Sequence, residues 1–84
     1  AHRTGDHATA LGHYRQALAQ FRAMSDGPNE ADTLARIAQT LTLLDRPDEA
    51  RDAWSRALDL YRAQQRGPDA ERAEAALAAL AAAP

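Results

Sequence analysis

Eighty-four residues are enough for one small domain and not for two, and a chain of this size buries only about 60% of its unfolded surface. The net charge is −2 with acids and arginines interleaved, so no basic block exists to neutralise a phosphate backbone, and direct nucleic-acid contact is disfavoured. No apolar run approaches the ~20 residues of a membrane span, and the absence of cysteine removes disulfides, thiolate chemistry and Cys-ligated zinc together.

The elements follow from composition and spacing. Alanine, the best helix former, supplies 22 of the 84 residues, while valine is missing and Ile37 and Phe21 are the only ones of their kind. An all-α fold is expected. The first helix is placed from about Ala8 to Met24, where Ala10, Tyr14, Ala17, Leu18 and Phe21 step along one face. Gly5-Asp6 offers a turn and an N-cap before it, and Ser25-Asp26-Gly27 ends it. Gly12 inside it costs about 1 kcal/mol against alanine. A second helix starts near Pro28-Asn29-Glu30, with proline in the first turn and Glu30 against the helix dipole, and carries Leu34, Ile37, Ala38, Leu41 and Leu44. Asp45-Arg46-Pro47 interrupts it. A third begins at Pro47, has Asp48 and Glu49 in its first turn, and aligns Ala50, Trp54, Ala57, Leu58 and Tyr61. After a break at Gly67-Pro68, Ala70, Ala73, Leu77 and Leu80 form the face of a fourth.

The helices repeat. At an offset of forty, Ala10 falls on Ala50, Ala17-Leu18 on Ala57-Leu58, Arg22-Ala23 on Arg62-Ala63 and Gly27-Pro28 on Gly67-Pro68. Tyr14 meets Trp54, Phe21 meets Tyr61, Ile37 meets Leu77, and Ala35 and Ala38 meet Ala75 and Ala78. One offset without a gap produces every match, which marks a repeat architecture. The fourth helix is the poorer copy: where the second has Leu34 and Leu41 it has Glu74 and Ala81, as expected of a terminal helix bordering solvent.

Ala50-x-x-x-Trp54-x-x-Ala57-Leu58 and Ala10-x-x-x-Tyr14-x-x-Ala17-Leu18 resemble the second helix of a tetratricopeptide repeat, and Leu34-x-x-Ile37-Ala38-x-x-Leu41 resembles the first. The resemblance is to the extended variety of the family, since the usual period is 34 residues. It implies antiparallel helix pairs in a right-handed solenoid. Residues 1–27 would be the second helix of a truncated repeat, 28–66 a complete repeat and 67–84 a terminal capping helix. More narrowly, "GP-x-EAD-TL", "LDRPDEARDAW" and "RALDLYR" look like the C-terminal repeats of SARP-like and STAND-type bacterial regulators, whose DNA-binding and nucleotide-hydrolysing parts lie upstream. All ten basic residues are arginine, which suits a GC-rich bacterial genome, and residue 1 is not methionine, so a piece of a longer protein, or a processed one, is expected. With no membrane span and no visible signal peptide, the default location is cytoplasmic.

Catalytic and metal chemistry find little support. His2, His7 and His13 are five and six apart instead of the three or four that a helical metal pair needs. Asp45, Asp48, Glu49 and Asp52 lack the glycine-spaced ligands of a calcium loop and instead compensate a helix dipole. Ser25 and Ser55 have no histidine at triad-like spacing, and Gly27 and Gly67 stand before prolines at helix breaks, not in a phosphate loop. Trp54 fits core packing better than ligand stacking. No catalytic residue, metal or cofactor is assigned.

The resemblance implies that the first helix of each repeat lines a concave surface. On the second helix of this chain the corresponding residues are Asp32, Arg36, Gln39, Thr42 and Leu43. Asp32 and Arg36 are spaced to pair with each other, and Arg36 and Gln39 could meet an acidic or backbone group of a bound segment. The paired Asn and Lys residues of the family's carboxylate clamp are missing. The partner implied is a protein or peptide segment, including domains of the parent chain. Alternative readings are a spacer or a homodimer formed through the truncated end, and an RNA-reading repeat, which the interleaved acids oppose.

Overall fold

The computed structural model describes residues 4–82. Four helices follow one another: α1 (Thr4–Ala23), α2 (Gly27–Leu43), α3 (Pro47–Ala63) and α4 (Gly67–Ala82). Each is long enough to pack along its length on the next, and the three-residue connections force neighbours to run antiparallel. Packing is sequential: α1 on α2, α2 on α3, α3 on α4.

The three connections are one device used three times. Ser25, Asp45 and Gln65, twenty residues apart, have φ of 56, 59 and 59°. In the first, Ser25 N–H donates to the Arg22 carbonyl at 3.1 Å and Asp26 N–H to the Phe21 carbonyl at 2.8 Å. The same pair of bonds recurs from Asp45 and Arg46 to Thr42 and Leu41, and from Gln65 and Arg66 to Arg62 and Tyr61. This Schellman closure satisfies two orphan carbonyls at each helix end. The next residue's carbonyl then accepts the first bond of the following helix, from Glu30, Ala50 and Ala70. A structural period of twenty thus underlies the sequence period of forty.

Two boundaries differ from the sequence expectation. Gly5-Asp6 is not a turn: α1 runs through it from Thr4. One internal glycine costs only about 1 kcal/mol, and Asp6 in the first turn favours the helix N-terminus. Likewise Gly27 and Gly67 do not end helices; they open α2 and α4. Neither has positive φ, because the left-handed position lies two residues earlier. Asp26 caps α2, its Oδ1 accepting from Asn29 N–H at 3.3 Å while Asn29 Nδ2 donates to Oδ2 at 2.7 Å.

The core is built from the apolar faces read in the sequence. α2 buries Leu34, Ile37, Ala38 and Leu41, and α3 buries Ala50, Trp54, Ala57, Leu58 and Tyr61. Ala31, Ala38, Ala50, Ala57 and Ala73 are wholly covered, so the backbones approach closely where only a methyl intervenes. On α1 the buried residues are Leu11 and Leu18, seven apart, with Tyr14 packed against them. Ala10, Ala17 and Phe21 are only half-buried, and the buried Leu11 lies outside the face that the sequence spacing predicts. On α4, Ala70 and Ala73 are buried while Leu77 and Leu80 are half-buried.

Candidate functional site

Because α2 is amphipathic, burying Leu34, Ile37 and Leu41 turns a polar line outward. Asp32, Arg36, Gln39, Thr42 and Leu43 occupy this line, and all five border a groove between α2 and α4. The groove has two parts. A polar hollow of about 300 Å³ is lined by Asp32, Arg36 and Gln39 from α2, Tyr61 from α3 and Arg72 from α4. An apolar hollow of about 500 Å³ is lined by Thr42 and Leu43 from α2, Trp54 from α3, and Ala76, Ala79 and Leu80 from α4. Gln39 borders both.

Asp32 does not pair with Arg36. Its Oδ1 accepts from Arg66 Nη2 at 2.7 Å and from the Tyr61 hydroxyl at 3.2 Å. Arg66 is the centre of this node. Its Nε donates to Asp69 at 2.9 Å, its Nη1 to the Pro28 carbonyl at 3.3 Å, and its guanidinium carbon lies 4.8 Å from the centre of the Tyr61 ring. Asp69 also pairs with Arg72. The first residues of α2 and α4 are thereby tied together across the end of α3, and this tie fixes the polar end of the groove. Burial, then the charge and hydrogen bond of Asp32, hold the Tyr61 phenol above its ordinary value. For Arg66, burial works against the charged form, but the hydrogen bonds and charges of Asp32 and Asp69 outweigh it and raise its value.

The other residues on the line carry different chemistry. Thr42 is less polar than its name suggests, because its hydroxyl donates to the Ala38 carbonyl at 3.0 Å and offers the groove little more than its methyl. Leu43 is 66% exposed at the open end of the apolar hollow. The Arg36 guanidinium makes no ion pair among the described residues, and the Gln39 amide no hydrogen bond.

Trp54, read from the sequence as core, is 7% exposed and also forms the wall of the apolar hollow. The α4 side of the groove was missed. Its signal was the repeat itself: Arg72, Ala76 and Ala79 are the forty-residue counterparts of Asp32, Arg36 and Gln39.

The remaining candidates lie elsewhere. Asp48, Glu49 and Asp52 are in surface ion pairs with Arg51, Arg46 and Arg56 at 3.1, 2.5 and 3.4 Å. They border a second hollow, on the opposite side of α2 between α1 and α3. Asp45 occupies the left-handed turn position. Ser25 and Ser55 are exposed, and His13 is exposed on α1, with His7 half-buried; His2 lies outside the described residues. Among the described residues no group of three or more His, Cys, Asp or Glu could hold a metal ion, and no helix is long and apolar enough to cross a membrane.

Comparison with known families agrees with the helix pattern. The family model described as tetratricopeptide repeat matches residues 1–63. The chain belongs to the tetratricopeptide repeat family. The match takes in α1, α2 and α3 and stops at the end of α3, leaving α4, the copy with the thinner apolar face, outside it. No curated protein and no solved structure gives a match. Tetratricopeptide repeats generally mediate protein–protein interaction, a role that needs a shaped surface and no reacting group.

Proposed function

We propose that this chain is a non-catalytic protein-interaction module of a larger, cytoplasmic bacterial protein, a regulator of the SARP-like or STAND type, and that it holds its partner in the α2/α4 groove. The observation that carries the reading is the continuity of the groove. Five outward residues of α2, from Asp32 to Leu43, border two hollows that meet at Gln39. A polar recess running into an apolar one suits a segment with both kinds of side chain. Residues 28–66 act in this reading as the complete repeat, and α4 as a capping helix that supplies the second wall.

Panning random dodecapeptides against the intact chain tests the proposal. Selected peptides are expected to lose binding to a Gln39→Arg/Leu43→Arg variant whose melting is unchanged, since both positions are exposed. Peptides that bind the variant and the parent alike would place the binding surface elsewhere. The companion substitution Arg36→Ala/Gln39→Ala should alter stability by no more than about 1 kcal/mol; a loss of several would put these residues inside the fold.

A second reading, dimerisation, has one observation in its favour. Tyr14, Phe21, Ala10 and Ala17 on α1 are half-buried, whereas the matching residues of α3 are covered.

A further inference from the structure

The two halves of the groove differ in what they lack, and the difference specifies a ligand. In and around the polar hollow three guanidiniums, Arg36, Arg66 and Arg72, face two carboxylates, Asp32 and Asp69. Arg66 takes Asp32 and shares Asp69 with Arg72. Arg36 is left over: one positive charge without a partner, in a protein whose net charge is −2. Seven of the arginines are in ion pairs, and the other described one without a pair, Arg15, is on the opposite side of α2. The apolar hollow lacks the opposite thing. Leu43 stands exposed beside Trp54 and Leu80, with the alanines of α4 leaving room for a bulky side chain.

Between the two lies Gln39, whose amide has both donors and an acceptor to offer. An α-helical ligand would present no free backbone groups there, because its own ladder uses them. An extended ligand presents them at every residue. Arg36, Gln39 and Leu43 lie on one face of α2, and seven helical residues separate the first from the last, about 10 Å along the axis. A polyproline II segment rises about 3.1 Å per residue and repeats its direction every three. It therefore aims residues i and i+3 the same way about 9 Å apart. A β-strand would turn those two side chains to opposite faces.

We infer that the groove selects an extended, polyproline II-like peptide carrying an internal acidic side chain three residues before a bulky aliphatic one. The carboxylate sits on Arg36, the central backbone on Gln39, and the aliphatic group against Trp54 and Leu43. This rests on the proposal that the α2/α4 groove is the binding surface, and adds the chemistry of its partner.

Trp54 is the only tryptophan of the chain and reports directly on the apolar hollow. The probe is the capped hexapeptide acetyl-Ser-Glu-Pro-Pro-Leu-Ser-amide, titrated against the intact chain with Trp54 emission as readout. The expected result is a saturable change, about tenfold weaker when the peptide's Glu is replaced by Gln and lost when its Leu is replaced by Ser. In an Arg36→Gln variant the Glu and Gln peptides should bind alike, with melting unchanged. Equal binding of the two peptides to the parent chain, or a surviving preference in the variant, would overturn the inference. If groove-dependent dodecapeptides are recovered but this pattern is absent from them and the hexapeptide is not bound, the inference falls while the groove stands. If no peptide depends on Gln39 and Leu43, both fall.

Discussion

α1 and α3 occupy the same place in successive repeats and have nearly the same apolar spelling, yet they are buried to different depths. On α3, Ala50 and Ala57 are wholly covered, Tyr61 is 1% exposed and Trp54 7%. Their counterparts Ala10, Ala17, Phe21 and Tyr14 are all half-buried. Residue type does not explain this, since alanine changes as much as the aromatics. The neighbours do: α3 packs extensively on both α2 and α4, whereas among the described residues α1 packs extensively on α2 only. In a linear array, the burial of a repeat position is a property of the stack before it is a property of the residue.

The largest consequence is a difference in what the two aromatics contribute. Removing a buried large aromatic costs about 3–5 kcal/mol, comparable to the whole stability expected of a domain this small. Trp54→Ala should abolish cooperative thermal unfolding followed by circular dichroism. Tyr14→Ala should leave a cooperative transition, at less than half that cost because part of the ring already meets water. Equal losses would mean that α1 is covered as well as α3.

That outcome leads to the second experiment. The partly open face of α1 carries Ala10, Tyr14, Ala17 and Phe21, an apolar stripe of the kind that a twofold contact covers. The isolated chain is expected to self-associate at micromolar to millimolar concentrations. Its melting temperature should then rise with concentration, since association stabilises the folded state by mass action. Phe21→Glu should remove both the rise and the dimer seen by light scattering. A monomer at every concentration, with a constant melting temperature, would show that α1 needs no second cover.

These contrasts also show what the sequence could reveal. The apolar stripes of α2 and α3 and the outward line of α2 were legible, because they depend on periodicity within ten to twenty residues, and the offset of forty was legible because it repeats residue identities. The turns were not. Ser25, Asp45 and Gln65 share no chemistry, and the glycines nearby pointed to the wrong residues. The left-handed conformation there is imposed by two backbone bonds that close the preceding helix, and backbone bonds leave no residue signature. Leu11 escaped notice because its counterpart is the exposed, ion-paired Arg51, so matching the repeats hid it. The partner of Asp32 was hidden differently. Arg36 is four residues away and visible, whereas Arg66 is thirty-four away and reachable only through the fold.

The turns offer the third test. A residue other than glycine in the left-handed region carries a steric cost of roughly 1 kcal/mol. Ser25→Gly, Asp45→Gly and Gln65→Gly should each stabilise by about 0.5–1 kcal/mol in urea unfolding, and the gain at Asp45, whose turn lies at the opposite end of the helices from the other two, should add to either of theirs. The gains at Asp45 and Gln65, which flank α3, should appear in full. A smaller gain at Ser25 would mean that α1 frays before the rest unfolds.

The smallest effect separates Tyr61 from Phe21, the pair in which the repeats differ by one hydroxyl. Phe21 already shows that the position can be apolar, so Tyr61→Phe keeps the shape and removes only the bond to Asp32. The cost should be about 0.5 kcal/mol near neutral pH, the low end for a hydrogen bond, because 3.2 Å is long for an O–H···O contact. Arg66, held by Asp69 and Pro28 as well, keeps Asp32 paired. The pH dependence is more telling than the size. Burial and the Asp32 carboxylate raise the Tyr61 phenol above its ordinary 10.0, so the neutral phenol is favoured in the fold. A raised acid stabilises the protein fully below its unfolded value and loses that contribution as pH climbs through its folded one. Stability should therefore decline above about pH 10 in the parent, and less steeply in Tyr61→Phe, so that the two curves converge at alkaline pH. Curves that stay parallel would mean that the hydroxyl at Tyr61 is no more tied to the fold than the missing one at Phe21.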